Sequence, residues 1–167
     1  RNNIKAIIAV PLQVIARQKT NEYQNYCSTN GIPCNVKAVF GMTILPDGRF
    51  TYVSEDNITD YLSEHNTQVF VSVFDSLKKF SAIDIFNPSE YILIVDEAHN
   101  LVTQYDFRWK TIQFLTEYQK RFRKVIHLTG TPEATLLPCH STYIFNRKDK
   151  LGNTPLINLF YSGRTEF

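Results

Sequence analysis

Asp96 and Glu97 stand side by side at the end of the apolar run Ile92, Leu93, Ile94 and Val95, with His99 close behind. Adjacent carboxylates at the mouth of a buried run suit magnesium and phosphate chemistry. One can hold the metal through its bound waters while the other orients or deprotonates an attacking water. Asp96 could instead simply accept backbone N–H groups at the start of the next helix. For an isolated acidic pair that plainer role is the better reading, so the surroundings must decide.

The elements that position the pair are legible as short apolar runs: IKAIIAV (4–10), VKAVF (36–40), QVFVSV (68–73), YILIVD (91–96) and KVIHL (124–128). None shows the in-out alternation of a strand with one wet face, which predicts a mostly parallel sheet covered on both faces and an α/β layer architecture. Between the first two runs, Leu12, Ile15, Ala16, Tyr23, Tyr26 and Cys27 fall on helical spacing, and Gly31 sits where a helix terminator is expected. Between the last two, Phe107, Thr111, Phe114, Leu115, Tyr118 and Phe122 make a second stripe. Both stripes read as core faces of crossover helices. MTILPDGRFTYV (42–53) reads as a β-hairpin inserted at the rim, followed by a short helix around Ile58, Tyr61 and Leu62. In a parallel sheet, ligands sit beyond the carboxyl ends of the strands. Asp96 and Glu97 lie at such an end.

In that setting Asp96-Glu97-Ala98-His99 resembles the DEAH form of the Walker B motif in superfamily 2 helicases and translocases. HLTGTP (His127 to Pro132) is similar to the family's motif III, AVPLQVIARQ (Ala9 to Gln18) to motif Ia, and VSVFDSL (Val71 to Leu77) to the motif Ib region. The four occur in the family's order, each at the carboxyl end of a strand. The resemblance implies a three-layer α/β/α RecA-like fold of the P-loop NTPase type, mostly parallel with a small β-hairpin insertion. Residues 1–137 would form part of the first RecA-like domain, and 138–167 an edge extension or a linker toward a second one.

By the same resemblance, ATP and Mg2+ are the cofactors and DNA or RNA the partner. Asp96 would bind the magnesium and Glu97 position the hydrolytic water. His99 would report the nucleotide's γ-phosphate side to neighbouring motifs, its plain alternative being a solvent-facing histidine in a first helical turn. Thr129, Gly130 and Thr131 would relay hydrogen bonds from the ATP site to the second domain; otherwise they form an ordinary turn completed by Pro132. Pro11, Leu12, Gln13, Ser72, Phe74 and Ser76 occupy the places where motifs Ia and Ib hold a phosphate backbone through N–H groups, hydroxyls and helix N-termini. Arg17 belongs either to that set or to a solvated helix face. The KRFRK cluster (120–124) is read as complementing a helix dipole in preference to binding phosphate.

Composition sets the outer bounds. The 167 residues, 43% of them hydrophobic, are enough for one buried core, and a formal charge of +2 does not decide for or against a nucleic-acid partner. No apolar run approaches the roughly 20 residues needed to cross a bilayer, so a soluble, intracellular protein is expected. Cys27, Cys34 and Cys139 lack metal-site pairing and are expected as free thiols. One family element is missing: no G-x-x-x-x-G-K-[ST] run precedes the motif Ia strand. It would lie about 30 residues upstream, given the size of a βαβ unit. Motifs IV to VI, with their arginine finger, are absent too. The sequence, which begins at Arg1, therefore reads as a piece of a larger helicase, an ATPase as the parent and inactive alone. The alternative from another class is a non-catalytic nucleic-acid-binding or scaffold module with a degenerate helicase fold. The Thr-Gly-Thr-Pro form of motif III points to double-strand translocases and DEAHNL to the iron-sulfur helicases, which leaves the subfamily open.

Overall fold

A computed structural model of the protein describes residues 4–44, 47–130, 141–146 and 156–162. Along the chain come β1 (Lys5–Val10), α1 (Gln13–Thr29), β2 (Asn35–Val39), β3 (Thr43–Ile44), β4 (Phe50–Thr51), α2 (Glu55–Glu64) and β5 (Gln68–Val73). A 3-10 helix (Phe74–Ala82) leads to β6 (Ile92–Val95), α3 (Asn100–Thr103), α4 (Tyr105–Tyr118) and β7 (Lys124–Thr129). The last strands are β8 (Ser141–Asn146) and β9 (Leu156–Ser162). The sheet order is β2-β5-β1-β6-β7-β9-β8. The first five strands are parallel, while β9 runs antiparallel to β7 and to β8. The expected hairpin is present as the pair β3–β4, and no helix among the described residues is long and apolar enough to cross a membrane.

The topology places a switch point at the centre of the sheet. From β1 the chain departs through α1 toward β2 on one side, whereas from β6 it departs through α3 and α4 toward β7 on the other. Right-handed crossovers in opposite directions put their helices on opposite faces. The buried side chains divide accordingly. Ile7, Ala9, Phe70, Leu93 and Val95 face a core with Ile58 and Tyr61 of α2, Phe74, Leu77 and Phe80 of the 3-10 helix, and Ile112 and Leu115 of α4. Val10, Val36, Val71 and Val73 face Ala16 and Ile15 of α1. Burying side chains of this size contributes on the order of 2 kcal/mol each.

Helix α1 ends as its sequence requires. Gly31 adopts φ +61, and the N–H groups of Gly31 and Ile32 return to the carbonyls of Ser28 (3.3 Å) and Cys27 (2.9 Å), closing a Schellman motif. Three expectations need correction. Leu12, Tyr26 and Phe107 are exposed, and Ile112, absent from the predicted stripe, takes the core position. α1 starts only at Gln13, and Phe107 precedes the break in helical geometry at Arg108, so neither stripe continues in phase. Ile92, Ile94, Ile126 and Leu128 are only half-buried, because α1 covers β1, β2 and β5 but does not extend over β6 and β7. The basic cluster also divides: Lys120 pairs with Glu117 and Arg121 lies over the Tyr118 ring at the helix end, whereas Lys124 already belongs to β7. Cys27 and Cys34 are free thiols, and Cys139 lies outside the described residues.

His127 is buried on β7 with Nε2 2.9 Å from Gln119 Oε1, while Nδ1 has no hydrogen-bond partner. An amide oxygen only accepts, so Nε2 carries the proton and Nδ1 is bare. Burial pushes the pKa from 6.5 down to about 4. Between those values the unfolded chain binds a proton that the folded chain refuses, so stability falls as pH drops through that window. Denaturant melts from about pH 7 to about pH 4 are expected to show this decline, and His127→Gln to flatten it. An equally steep decline in the variant would assign the effect to other groups.

Candidate functional site

Asp96 extends the β1–β6 pairing by one residue, its N–H donating to Ala9 O at 2.8 Å. Residues alternate across a strand, so Asp96 continues the face of Ile92 and Ile94, toward α1. There its Oδ2 meets Lys19 Nζ at 3.0 Å, with both side chains largely withdrawn from solvent. Burial alone would lower the Lys19 pKa; the hydrogen bond and charge of Asp96 outweigh it and hold the ammonium above its usual range. Asp96 is not a helix cap. α3 begins at Asn100, with His99 in the N-cap position and no side-chain capping bond.

Glu97 adopts φ +52, and no other non-glycine residue described has a positive φ. A side chain in the left-handed region costs roughly 1–2 kcal/mol, so the surrounding bonds must hold it there. Ala98 N–H donates to Leu128 O (2.8 Å), and Asn100 donates to Glu97 O through both its backbone N–H (2.9 Å) and Nδ2 (3.0 Å). The turn is thereby pinned to β7 on one side and α3 on the other. Its carboxylate stays about half exposed, with Oε2 3.3 Å from His99 Nδ1. The same ring nitrogen lies 3.3 Å from the hydroxyl of buried Thr129. His99 thus joins the acidic turn to the end of β7. Gly130 follows, exposed, and Thr131 lies outside the described residues.

A groove of about 410 Å³ opens at the carboxyl ends of β1 and β5. Pro11, Leu12, Gln13 and Ser76 line it, together with Gly41, Asp75, Lys78, Lys79 and Arg108. α1 begins here without a side-chain cap or an acidic residue in its first turn, which leaves the positive end of its dipole without a neutralising carboxylate of its own. Lys79 Nζ is tied to the carbonyls of Phe40 and Val53, leaving Lys78 as the more exposed lysine. Three expected residues do not reach the groove. Ser72 is fully buried and donates its hydroxyl to Val73 O, Phe74 packs in the core, and Arg17 stacks over the Phe40 ring at 4.8 Å.

Several participants were not anticipated from sequence. Lys19 lies on α1, far from the acidic pair in sequence, and carried no signal. Asn100, Gln104 and Arg108 did carry one, since polar residues at i, i+4 and i+8 share a helix face. The apolar stripe drew the interpretation of that segment instead.

Asp96 and Glu97 supply hard oxygen donors suited to Mg2+, an ion that keeps most of its waters and takes further donors from phosphate. No group of three or more His, Cys, Asp or Glu among the described residues could hold a metal by itself. Mg2+ held by this pair would take its remaining donors from water or phosphate. In comparisons with known proteins, the family model described as DEAD/DEAH box helicase matches residues 1–137. No curated protein gives a significant match.

Glycine at this position would carry no left-handed penalty. Glu97→Gly is expected to exceed Glu97→Ala in stability by about 1 kcal/mol, the left-handed penalty less glycine's extra chain entropy. Equal stability of the two variants in denaturant titrations would show that the turn holds no strain.

Proposed function

The chain belongs to the DEAD/DEAH box helicase family, and from that premise we propose that it is part of the ATP-dependent motor of a superfamily 2 DNA or RNA helicase or translocase. The observation that carries this reading is the strained Glu97 beside Asp96 at the sheet's switch point, with His99 between Glu97 and Thr129. Strained backbone tends to persist where function requires it.

In this reading Asp96 holds Mg2+ and Glu97 orients and deprotonates the attacking water. Bound magnesium supplies charge neutralisation at the nucleotide phosphates. Lys19 balances the Asp96 charge in the absence of other cations, and His99 senses the carboxylate of Glu97 and passes its state to Thr129 and onward to Gly130 and Thr131. Pro11, Leu12, Gln13 and Ser76 receive one nucleic-acid backbone, with the N-terminus of α1 as the phosphate-facing element. The phosphate loop and the second RecA-like domain complete the motor.

The non-catalytic alternative has one observation in its favour. The Lys19–Asp96 ion pair satisfies the aspartate without a metal. Catalysis separates the two readings. In the full-length protein, Glu97→Gln is expected to reduce nucleic-acid-stimulated ATP hydrolysis at least about 100-fold while nucleotide binding survives. Unchanged turnover would remove the role assigned to Glu97. The 167 residues contain no G-x-x-x-x-G-K-[ST] run, so by themselves they are expected to turn over no ATP. Robust hydrolysis by the purified chain would overturn the division of labour between this piece and a phosphate loop.

A further inference from the structure

A continuous line of hydrogen bonds runs along one face of α3 and α4, from the Glu97 turn to the groove. Asn100 Nδ2 donates to Glu97 O (3.0 Å), and Asn100 Oδ1 accepts from Gln104 Nε2 (2.6 Å). Gln104 Oε1 accepts in turn from Arg108 Nη1 (3.0 Å). The guanidinium then reaches both walls of the groove: Nη1 donates to Pro11 O (3.0 Å) and Nη2 to Asp75 Oδ2 (2.7 Å). Asp75 is held from its other oxygen by Thr111 Oγ1 (2.5 Å). At Arg108 itself the helix is broken, with φ −121 and ψ 20.

Anchoring α4 does not need these bonds, because Ile112 and Leu115 already pack the helix into the core. The extension through Gln104 and Asn100 adds a directed connection to the main-chain carbonyl of Glu97, whose left-handed backbone depends on the bonds that carbonyl receives. A planar, always-charged guanidinium can bond three acceptors at fixed angles, which a lysine cannot.

We propose that Arg108 is a positioning residue that joins the Pro11 and Asp75 walls of the groove to the Glu97 turn through Gln104 and Asn100. Nucleic acid seated in the groove shifts those walls, and the relay carries the shift to the carbonyl that holds Glu97 in place. The proposal rests on the motor reading above, and specifies the route by which nucleic acid stimulates hydrolysis.

The relay is tested in the full-length protein by measuring ATP turnover with and without a saturating single-stranded oligonucleotide. Oligonucleotide affinity is measured in parallel by fluorescence anisotropy. Gln104→Met keeps the length and helix propensity of the side chain and cuts the relay at its middle, away from both the groove and Glu97. It is expected to bind oligonucleotide within about threefold of wild type yet lose about tenfold of the stimulation, as a fall in stimulated kcat without a rise in the oligonucleotide concentration needed for half-stimulation. Arg108→Lys is expected to lose stimulation as well. Asp75→Asn is expected to cost stimulation alone but little more when added to Gln104→Met, because residues in one relay are not additive. Wild-type stimulation in Gln104→Met, or losses that multiply in the double variant, would overturn the relay. A wild-type protein that nucleic acid does not stimulate would overturn the motor reading itself.

Discussion

The arrangement at the carboxyl end of the sheet depends on the junction between β1 and β6. These neighbouring parallel strands send their chains to opposite sides, which opens a crevice between the loops that follow them. The bond from Asp96 N–H to Ala9 O closes the junction one residue beyond the strand. Because that bond is made by backbone atoms, it fixes the acidic turn relative to Pro11 whatever side chains surround it. The acidic turn on one side and the groove on the other are therefore two products of a single topological feature.

Placing two carboxylates next to each other while sending them to different partners requires an unusual backbone. Asp96 points across the sheet face to Lys19, and Glu97 points outward to His99. A right-handed residue at 97 would carry the chain directly on into helix. The left-handed one turns it so that Ala98 can bond β7 while the Glu97 side chain stays accessible. Each supporting bond is worth about 1 kcal/mol net, enough in sum to offset the roughly 1–2 kcal/mol of strain. The turn is thus stable only as part of the whole, pinned by β7 and by Asn100.

Much of this was legible in the sequence because the strands are buried. The five apolar runs coincide with β1, β2, β5, β6 and β7, and Asp47 and Gly48 lie between the two arms of the hairpin β3–β4. The acidic pair could be placed at a strand end because a run of aliphatic residues stops abruptly at Asp96. What could not be read is the conformation at position 97, since nothing in a glutamate announces a positive φ. The burial of the Ser72 and Phe74 side chains was hidden for a related reason: the end of β5 can be located from its pattern, but which residues turn inward depends on the 3-10 geometry that follows. Lys19 was invisible because its partner is distant in sequence.

α4 combines two functions that draw on different energies. Its inward face, Ile112 and Leu115, packs with Phe74 and Leu77, and this burial supplies the stability. Its polar face carries Arg108 and Thr111, with Gln104 at the N-cap. A partly exposed pair such as Arg108–Asp75 contributes at most about 1 kcal/mol, so the polar line cannot hold the helix in place; the apolar face must. That division has a consequence for coupling. A line of weak bonds anchored by a rigid core can change partners at little cost without unfolding anything, which is the property that the proposed link between the groove and the Glu97 turn requires.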